Sequence, residues 1–208
     1  IAKEIWAAKY RFSGKGDLPG DVDFEATAAR VAKAAASNES EIERPVWQAR
    51  FEDAIAKMQF IPAGRILAGA GTERAVTLFN CFVMGTIPDS LEGIFDHLKQ
   101  AALTMQQGGG VGMDFSTIRP KGAEVKGVGS DASGPMSFMD CWDSMCRTVH
   151  SAGARRGAMM GCLRIDHPDI EDFIDAKRDG SRFRNFNFSV LVTDAFMEAL
   201  ERDAEWPL

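Results

Sequence analysis

Residues 77–95 read TLFNCFVMGTIPDSLEGIF, a short apolar run that ends before Pro88 and gives way to the start of an amphipathic helix. A short apolar run bounded by turn residues predicts a strand, and a helix directly after it predicts a crossover connection. The run carries Cys81, which at this point is either a small buried hydrophobe or a thiol with redox chemistry. The stretch therefore predicts a parallel α/β sheet and raises the question of what the thiol does.

The same alternation of strand and helix continues to the end of the chain. Strands are predicted at 78–84, 110–115, 158–165 and 186–192, and helices at 91–107, 136–150, 169–177 and 194–203. In the first of these helices the predicted apolar stripe is Leu91, Ile94, Phe95, Leu98, Ala102 and Met105. Asp89 and Glu92 have the spacing of a capping box at its start.

The segment upstream of Pro62 has a different, purely helical pattern. One stripe, behind Asp23 as the predicted N-cap, comprises Phe24, Thr27, Ala28, Val31 and Ala35. A second comprises Trp47, Phe51, Ala54, Ile55 and Met58, and the two helices are expected to pair. We therefore predict a helical N-terminal domain over 1–62 and an α/β domain over 63–208.

Composition excludes several classes of function. The chain has 208 residues, 45% of them hydrophobic, and a net charge of −6, which disfavours a broad nucleic-acid-binding face. No apolar run is long enough to span a bilayer, and no secretory leader opens the sequence. Four sparse cysteines favour reduced thiols and a cytoplasmic location. A start without Met and an apolar end, EWPL, are expected of a fragment.

Three further motifs each have a structural and a functional interpretation. QQGGGVGMDF at 106–115 runs from helix to strand, the reverse of phosphate-binding fingerprints, so a tight turn with close backbone approach is favoured over a phosphate cradle. Two basic loops, at 118–135 and 151–161, are either solvated or ligand-binding. Cys141 and Cys146 lie about 140° apart on a helix, which disfavours a shared metal ion.

Taken together, seven ordered blocks resemble the catalytic chain of ribonucleotide reductase, most closely the adenosylcobalamin-dependent class (class II). The blocks are FIPAGRILAG, LFNCFVMGTIPDS, QQGGGVGMDFSTIRPKG, SGPMSFM, GARRGAMMG, HPDIEDFI and NFNFSVLVTDAFM, across about residues 60–200. The resemblance implies a helical N-terminal domain followed by the first half of a ten-stranded α/β barrel.

The resemblance gives Cys81 a role. In the family, the cysteine on the first barrel strand is one of two thiols that reduce the ribose 2′ position after a thiyl radical removes the 3′ hydrogen. The family's radical cysteine and the partner thiol are expected beyond residue 208, so the chain alone is expected to be inactive. Cys141, Cys146 and Cys162 match none of these roles and are interpreted as structural.

The resemblance also assigns nucleotide contacts. Asp89 and Ser90 match residues that contact the sugar of an allosteric deoxynucleotide, and Arg119 and Lys126 lie in the loop that meets its phosphates. The resemblance also implies contacts to the substrate or its base, from Ala63, Gly64, Asn80, Arg155 and Arg156. Many relatives have a hydroxyl residue near the position of Ala63.

Partners follow from the same resemblance. It implies a ribonucleotide substrate, a deoxynucleotide or ATP effector, adenosylcobalamin in the complete enzyme, a thioredoxin-type reductant and a homodimer through the helix at 91–107. Two alternatives remain open: a nucleotide-binding allosteric module without catalysis, and the large subunit of a two-subunit, metal-radical reductase. The choice between diphosphate and triphosphate substrates also remains open.

Overall fold

The computed structural model of the chain describes residues 1–125, 127, 129–149, 158–178 and 180–208. It divides into two compact units, Ile1–Asn80 and Cys81–Leu208. The predicted division after residue 62 falls earlier than this one. The segment between the two boundaries contains a short helix, and Leu67 on this helix and Ala70 directly after it belong to the core of the helical unit. No helix in the described part of the chain is both long and apolar enough to cross a membrane.

The first unit is helical. Its helices are α1 (Ala2–Lys9), α2 (Phe24–Ala36), α3 (Arg44–Ala56) and α4 (Gly64–Gly69). The Asp23 side chain accepts a 2.8 Å hydrogen bond from the Ala26 amide, which confirms the predicted cap of α2. The predicted pairing of α2 with α3 is also confirmed.

The buried stripes of these helices differ from the predicted ones. On α2, Ala32 and Ala36 are buried while Ala35 is exposed. On α3, Ile55 is the buried residue, and Met58 lies beyond the helix end, mostly exposed. The stripe on α3 was overestimated because only its C-terminal end contributes a buried side chain to the core shared with α2.

Asp21 organises the polar interior of the first unit. Its Oδ2 accepts hydrogen bonds from Thr27 Oγ1 at 2.7 Å and from the Phe12 amide at 3.1 Å, and the Arg30 guanidinium pairs with both carboxylate oxygens. Arg30 also donates to the carbonyl of Leu67 at 2.9 Å, near the end of α4. The loop before α2, α2 itself and α4 are therefore tied to a single buried carboxylate.

The second unit contains a four-stranded parallel sheet of order β1-β2-β5-β6. Its elements are β1 (Cys81–Val83), α5 (Leu91–Gln106), β2 (Gly110–Asp114), β3 (Glu124–Val125), β4 (Ser130–Asp131), α6 (Pro135–Thr148), β5 (Met159–Arg164), α7 (Ile170–Asp175), β6 (Phe186–Leu191) and α8 (Asp194–Glu201). Each strand and helix predicted downstream of residue 77 is present, with bounds that differ by a few residues. The α/β class of the fold is confirmed.

The two faces of this sheet have different surroundings. One face packs against α5 and α6 in a continuous apolar core, to which the strands contribute Val111, Met113, Met159, Leu163 and Phe186. Phe115, just after β2, packs edge-to-face on Trp142 of α6 with ring centroids 5.3 Å apart. The opposite face is open, and on it Val83 is 97% exposed.

Three local predictions in the second unit were wrong. Ser90, not Asp89, caps α5: its side chain accepts a 3.1 Å hydrogen bond from the Gly93 amide. The loop at 118–135 contains an antiparallel hairpin, β3–β4. On α5 the buried residues are Ile94, His97, Ala101 and Met105, so the apolar Leu91 and Phe95 lie outside the core.

Replacing Asp21 with Asn tests the polar centre of the first unit. Burial alone raises the pKa of Asp21, but hydrogen bonds from Arg30, Phe12 and Thr27, with the Arg30 charge, outweigh it and hold that pKa below its ordinary value. A lowered folded-state pKa stabilises the fold above the ordinary carboxyl range, and this stabilisation is lost as the pH falls below about 5. Asp21→Asn should cost about 3–5 kcal/mol at pH 7, because Arg30 loses its buried partner.

The measurement is hydrogen exchange of the α2 amides in the 208-residue chain at pH 7 and at about pH 4, corrected for intrinsic rates. When the pH is lowered from 7 to about 4, the protection of these amides should decrease more in the wild type than in Asp21→Asn. Asp53→Asn is the matched control, since Asp53 pairs with Lys57 on an exposed face of α3 and its loss should cost less than about 1 kcal/mol. Equal effects of the two variants would show that the Asp21 network does not stabilise the unit.

Candidate functional site

Cys81 is the first residue of β1, at the edge of the sheet and on its open face. Its Cα partner in β2 is Gly110, and Val83 is opposite Gly112. Partners in a parallel pair point to the same side of the sheet, so the two glycines leave the surface beside Cys81 free of side chains. The Cys81 side chain is exposed, and the interpretation of this residue as a sealed core hydrophobe is excluded.

The other cysteines are poorly placed to react with Cys81. Cys162 lies on the same face, but two strands across and four residues further along, which separates the two Cα atoms by roughly 16 Å. A disulfide needs Cα atoms about 5.5 Å apart. Burial and the nearby Asp114 carboxylate raise the pKa of Cys162, and burial with Asp143 raises that of Cys146. Cys162 is therefore too far away to be a disulfide partner for Cys81, and Cys141 and Cys146 lie on α6, which packs on the opposite face of the sheet.

The predicted substrate contacts that the structure describes all lie in the first unit. Ala63 is exposed and precedes α4, where its carbonyl accepts hydrogen bonds from the Ile66 and Leu67 amides. A side chain at Gly64 would come within 2.9 Å of the Tyr10 ring, so the Tyr10 side chain would have to shift to admit it. Asn80 is exposed. Arg155 and Arg156 lie outside the described residues.

A second candidate site is a cavity of about 460 Å³ in the second unit. It lies at the start of α5, among the loop after β2, the β3–β4 hairpin and the start of α6. The residues that line it include Asp89, Ser90, Leu91, Ile94, Ile118, Arg119, Val125, Asp131 and Phe138. The structure thus brings together Asp89, Ser90 and Arg119 of the predicted effector set, whereas Lys126 lies outside the described residues.

Asp89 and Arg119 are joined by an ion pair and several hydrogen bonds at the rim of this cavity. The Arg119 amide donates to Asp89 Oδ1 at 3.2 Å, and Arg119 Nε donates to Asp89 Oδ2 at 2.8 Å. The two terminal nitrogens of Arg119 donate to the backbone carbonyls of Asp89 and Glu124, at 3.3 and 3.0 Å. The ion pair is about one-third exposed on both sides, so ligands and solvent can reach it.

Other parts of the cavity wall were not predicted from the sequence. The hairpin that carries Asp131 is closed by backbone hydrogen bonds between Gly122 and Ala132 and between Ala132 and Ala123, each 2.8 Å. His167 holds the part of the wall that Ile118 forms. Its Nδ1 accepts a hydrogen bond from the Asp169 amide at 3.0 Å, so the proton is on Nε2, which donates to the Ile118 carbonyl at 2.9 Å. Gly122, just before the hairpin, and Gly129, in the connection between its strands, both have positive φ and were the available signal for this turn.

The glycine-rich motif forms the tight turn that was predicted between α5 and β2. Gly108 has φ of +93°, which favours glycine. A side chain at Gly109 would come within 2.7 Å of the Phe82 ring and 2.9 Å of Thr104. The motif therefore allows close packing. Among the described residues no cluster of three or more His, Cys, Asp or Glu side chains could hold a metal ion.

Comparisons with known proteins agree with this architecture. Residues 1–75 match the profile of the ribonucleotide reductase all-alpha domain, and residues 79–208 match that of the ribonucleotide reductase barrel domain. A helical unit followed by an α/β unit with a parallel sheet thus agrees with the two domains that these profiles describe. The chain belongs to the ribonucleotide reductase family.

Individual relatives are similar over most of the chain. The vitamin B12-dependent ribonucleoside-diphosphate reductase of Mycobacterium tuberculosis is 44% identical over 158 residues, 76% of this chain and 22% of the relative. That of Thermoplasma acidophilum is 43% identical over 155 residues, 74% and 20% respectively. The ribonucleoside-diphosphate reductase subunit alpha of Helicobacter pylori is 32% identical over 182 residues, 86% and 23%. The chain spans about a fifth of the length of these relatives.

Proposed function

We propose that this chain is part of a reductase that converts ribonucleoside diphosphates to deoxyribonucleoside diphosphates for DNA synthesis, by thiyl-radical chemistry in the cytoplasm. The observation that carries the proposal is the exposed Cys81 thiol on the open, glycine-lined face of a sheet in the barrel-domain segment. Diphosphates are proposed because the relatives from Mycobacterium tuberculosis and Thermoplasma acidophilum are named for that substrate.

Cys81 is proposed to act as one half of a redox dithiol. The two thiols lose two electrons and two protons and close to a disulfide, while the ribose C2′–O bond breaks, the oxygen leaves as water and C2′ gains a hydrogen. An external dithiol of the thioredoxin type then reduces the disulfide. Ala63, Gly64, Asn80, Arg155 and Arg156 are proposed to contact the substrate or its base, by resemblance to the family.

Adenosylcobalamin is proposed as the radical-generating cofactor, because two of the relatives are named as vitamin B12-dependent. The residues described here do not fit a role in holding it. His97 and His167 are both buried and direct Nε2 at backbone carbonyls, so within the described part of the chain neither imidazole is accessible to a cobalt ion. No residue of this chain is therefore assigned to the cofactor.

Activity of the full-length chain tests the dithiol role. With a ribonucleoside diphosphate, adenosylcobalamin and a dithiol, the wild type should form deoxynucleotide without a second subunit. Cys81→Ser should lower that rate by about 10³-fold or more, because one of the two reducing thiols is gone. Cys162→Ser is the matched control on the same face of the sheet and should retain activity.

Full activity of Cys81→Ser would exclude the dithiol role for this residue. Activity that needs a metal-containing partner subunit and not adenosylcobalamin would instead assign the chain to the two-subunit reductases. Binding of nucleotides without reduction under either condition would support the alternative of an allosteric module without catalysis.

The cavity beside α5 is proposed as a deoxynucleotide effector site with contacts from Asp89, Ser90, Arg119 and Lys126. Its volume suits a nucleoside-sized ligand, since ligand sites usually occupy about 300–1,000 Å³. The apolar wall of Ile118 and Phe138 can take a base, and the Asp89 carboxylate can accept a hydrogen bond from a sugar hydroxyl. ATP is the other effector that the family resemblance proposes.

Calorimetry of the full-length chain with each of the four deoxynucleoside triphosphates tests this site. The wild type should bind at least one of them, and Asp89→Asn should weaken that binding by about tenfold, because a hydrogen bond to a charged acceptor is lost. Asp175→Asn is a control, since Asp175 forms a comparable exposed ion pair with Arg178 at the end of α7. Undiminished binding by Asp89→Asn would remove Asp89 from the site.

A homodimer through α5 is proposed from the apolar side chains that this helix leaves outside the core. Leu91 is 65% exposed and Phe95 46% exposed, one turn apart on the same side of the helix. Exposed apolar patches of this kind are typical of protein interfaces. The stripe at the start of α5 is therefore the surface on which a second copy of the chain is proposed to pack.

Sedimentation of the full-length chain tests the dimer. Phe95→Glu should raise the dimer dissociation constant by about tenfold or more, because a charge would be buried in an apolar contact. Gln100→Glu adds the same charge on a different, exposed side of α5 and should leave the dissociation constant unchanged. A monomeric wild type, or equal behaviour of the two variants, would contradict the proposed interface.

A further inference from the structure

Two ring nitrogens in the core between α5 and α6 have no hydrogen-bond partner among the described residues. They are Nδ1 of His97, on α5, and Nε1 of Trp142, on α6. Both side chains are deeply buried, since His97 is 5% exposed and Trp142 is 0% exposed. A buried polar group that lacks a hydrogen bond destabilises the fold, and in native proteins such groups are satisfied by the protein or by internal water.

The two nitrogens have complementary hydrogen-bonding roles. His97 Nε2 lies 2.8 Å from the Gly85 carbonyl oxygen, which can only accept a hydrogen bond, so the ring proton is on Nε2. Nδ1 of the neutral ring is then an acceptor, whereas the indole Nε1 of Trp142 can only donate. A single water molecule can satisfy both nitrogens, because it donates and accepts at once.

The two rings lie at a distance that one small molecule can bridge. The centroids of His97 and Trp142 are 6.2 Å apart, and the ring planes are inclined at 50°. A water molecule with two hydrogen bonds of about 2.9 Å joins two nitrogens that lie about 5 Å apart, which is compatible with these centroids. The Asp143 carboxylate, next to Trp142 in the sequence, is engaged elsewhere because it accepts hydrogen bonds from Arg147 and Asn185.

We propose that α5 and α6 enclose a binding site for a single water molecule, which accepts a hydrogen bond from Trp142 Nε1 and donates one to His97 Nδ1. An internal water needs about two to four polar partners, and these nitrogens supply one donor and one acceptor. The inference does not depend on the proposed reductase chemistry or on the nucleotide sites, because it rests on the interior of the second unit alone.

The water completes a set of polar contacts from α6 to both outer strands of the sheet. On one side, Trp142 is connected through the water and His97 to the Gly85 carbonyl, just after β1. On the other side, Asp143 Oδ1 accepts hydrogen bonds from the amide and the side chain of Asn185, just before β6, at 3.2 and 3.0 Å. Since β1 and β6 are the outer strands of the four-stranded sheet, two adjacent residues of α6 position both of its edges.

A crystal structure of the full-length chain, at a resolution that shows ordered water, tests the site directly. One peak of solvent density should lie within about 3.2 Å of both His97 Nδ1 and Trp142 Nε1. A direct hydrogen bond between the two rings would overturn the proposal, because the nitrogens would then satisfy each other. A contact between the rings without solvent density would overturn it as well.

Hydrogen exchange of the α5 and α6 amides in the full-length chain measures what the shared water contributes. His97→Gln keeps an N–H group for the Gly85 carbonyl and removes the acceptor at Nδ1, while Trp142→Phe keeps an aromatic ring and removes the donor. Each variant should lower the protection of these amides by about tenfold. The double variant should also lower it by about tenfold, since both changes break the same water-mediated contact.

Trp206→Phe is the matched control for the loss of an indole donor. Trp206 Nε1 donates directly to the Ile165 carbonyl at 3.2 Å, within the same unit. Its replacement should change the protection of α5 and α6 by less than about twofold and should combine independently with His97→Gln. Independent effects of His97→Gln and Trp142→Phe would show that the two nitrogens are satisfied separately and would contradict the shared water.

Discussion

The register between β1 and β2 is the constraint on which the thiol site depends. Cys81 is opposite Gly110, and the packed side chain of Phe82 is opposite Val111. Because side chains alternate between the two faces of a strand, a slip of one residue would turn Cys81 into the core and expose Phe82. The access of a ligand to the thiol is thus a direct consequence of strand pairing.

The glycine turn before β2 helps to hold this register. Gly109 has no side chain, and the Phe82 ring of the neighbouring strand occupies the space that a Cβ would fill. The ring can take that position only when Phe82 faces the packed side, since the turn leads into β2 from α5 on that side. A motif that resembles a phosphate loop in composition therefore acts through packing, and its order from helix to strand was sufficient to predict this.

The sequence predicted those features that depend on local pattern. The apolar runs located all four strands of the sheet, and Asp23 located the start of α2. Features that depend on tertiary competition were not predictable. Asp89 and Ser90 are both good N-cap residues, and the choice of Ser90 follows from Arg119, which lies 30 residues away and engages the Asp89 carboxylate. The β3–β4 hairpin has only two residues in each strand, too few for a periodic signal.

The apolar pattern of α5 was also ambiguous, for an informative reason. The helix has more apolar residues than one buried stripe requires, because Leu91 and Phe95 belong to a second surface. Leu91 and Ile94 line the cavity, Ile94 joins the sheet core, and His97 Nε2 donates to the Gly85 carbonyl just after β1 at 2.8 Å. The helix α5 therefore lines the proposed effector site, carries the proposed dimer surface and contacts the segment that follows the thiol-bearing strand. Packed side chains and this hydrogen bond thus join the first two turns of α5 to the exit of β1 within one unit of the structure.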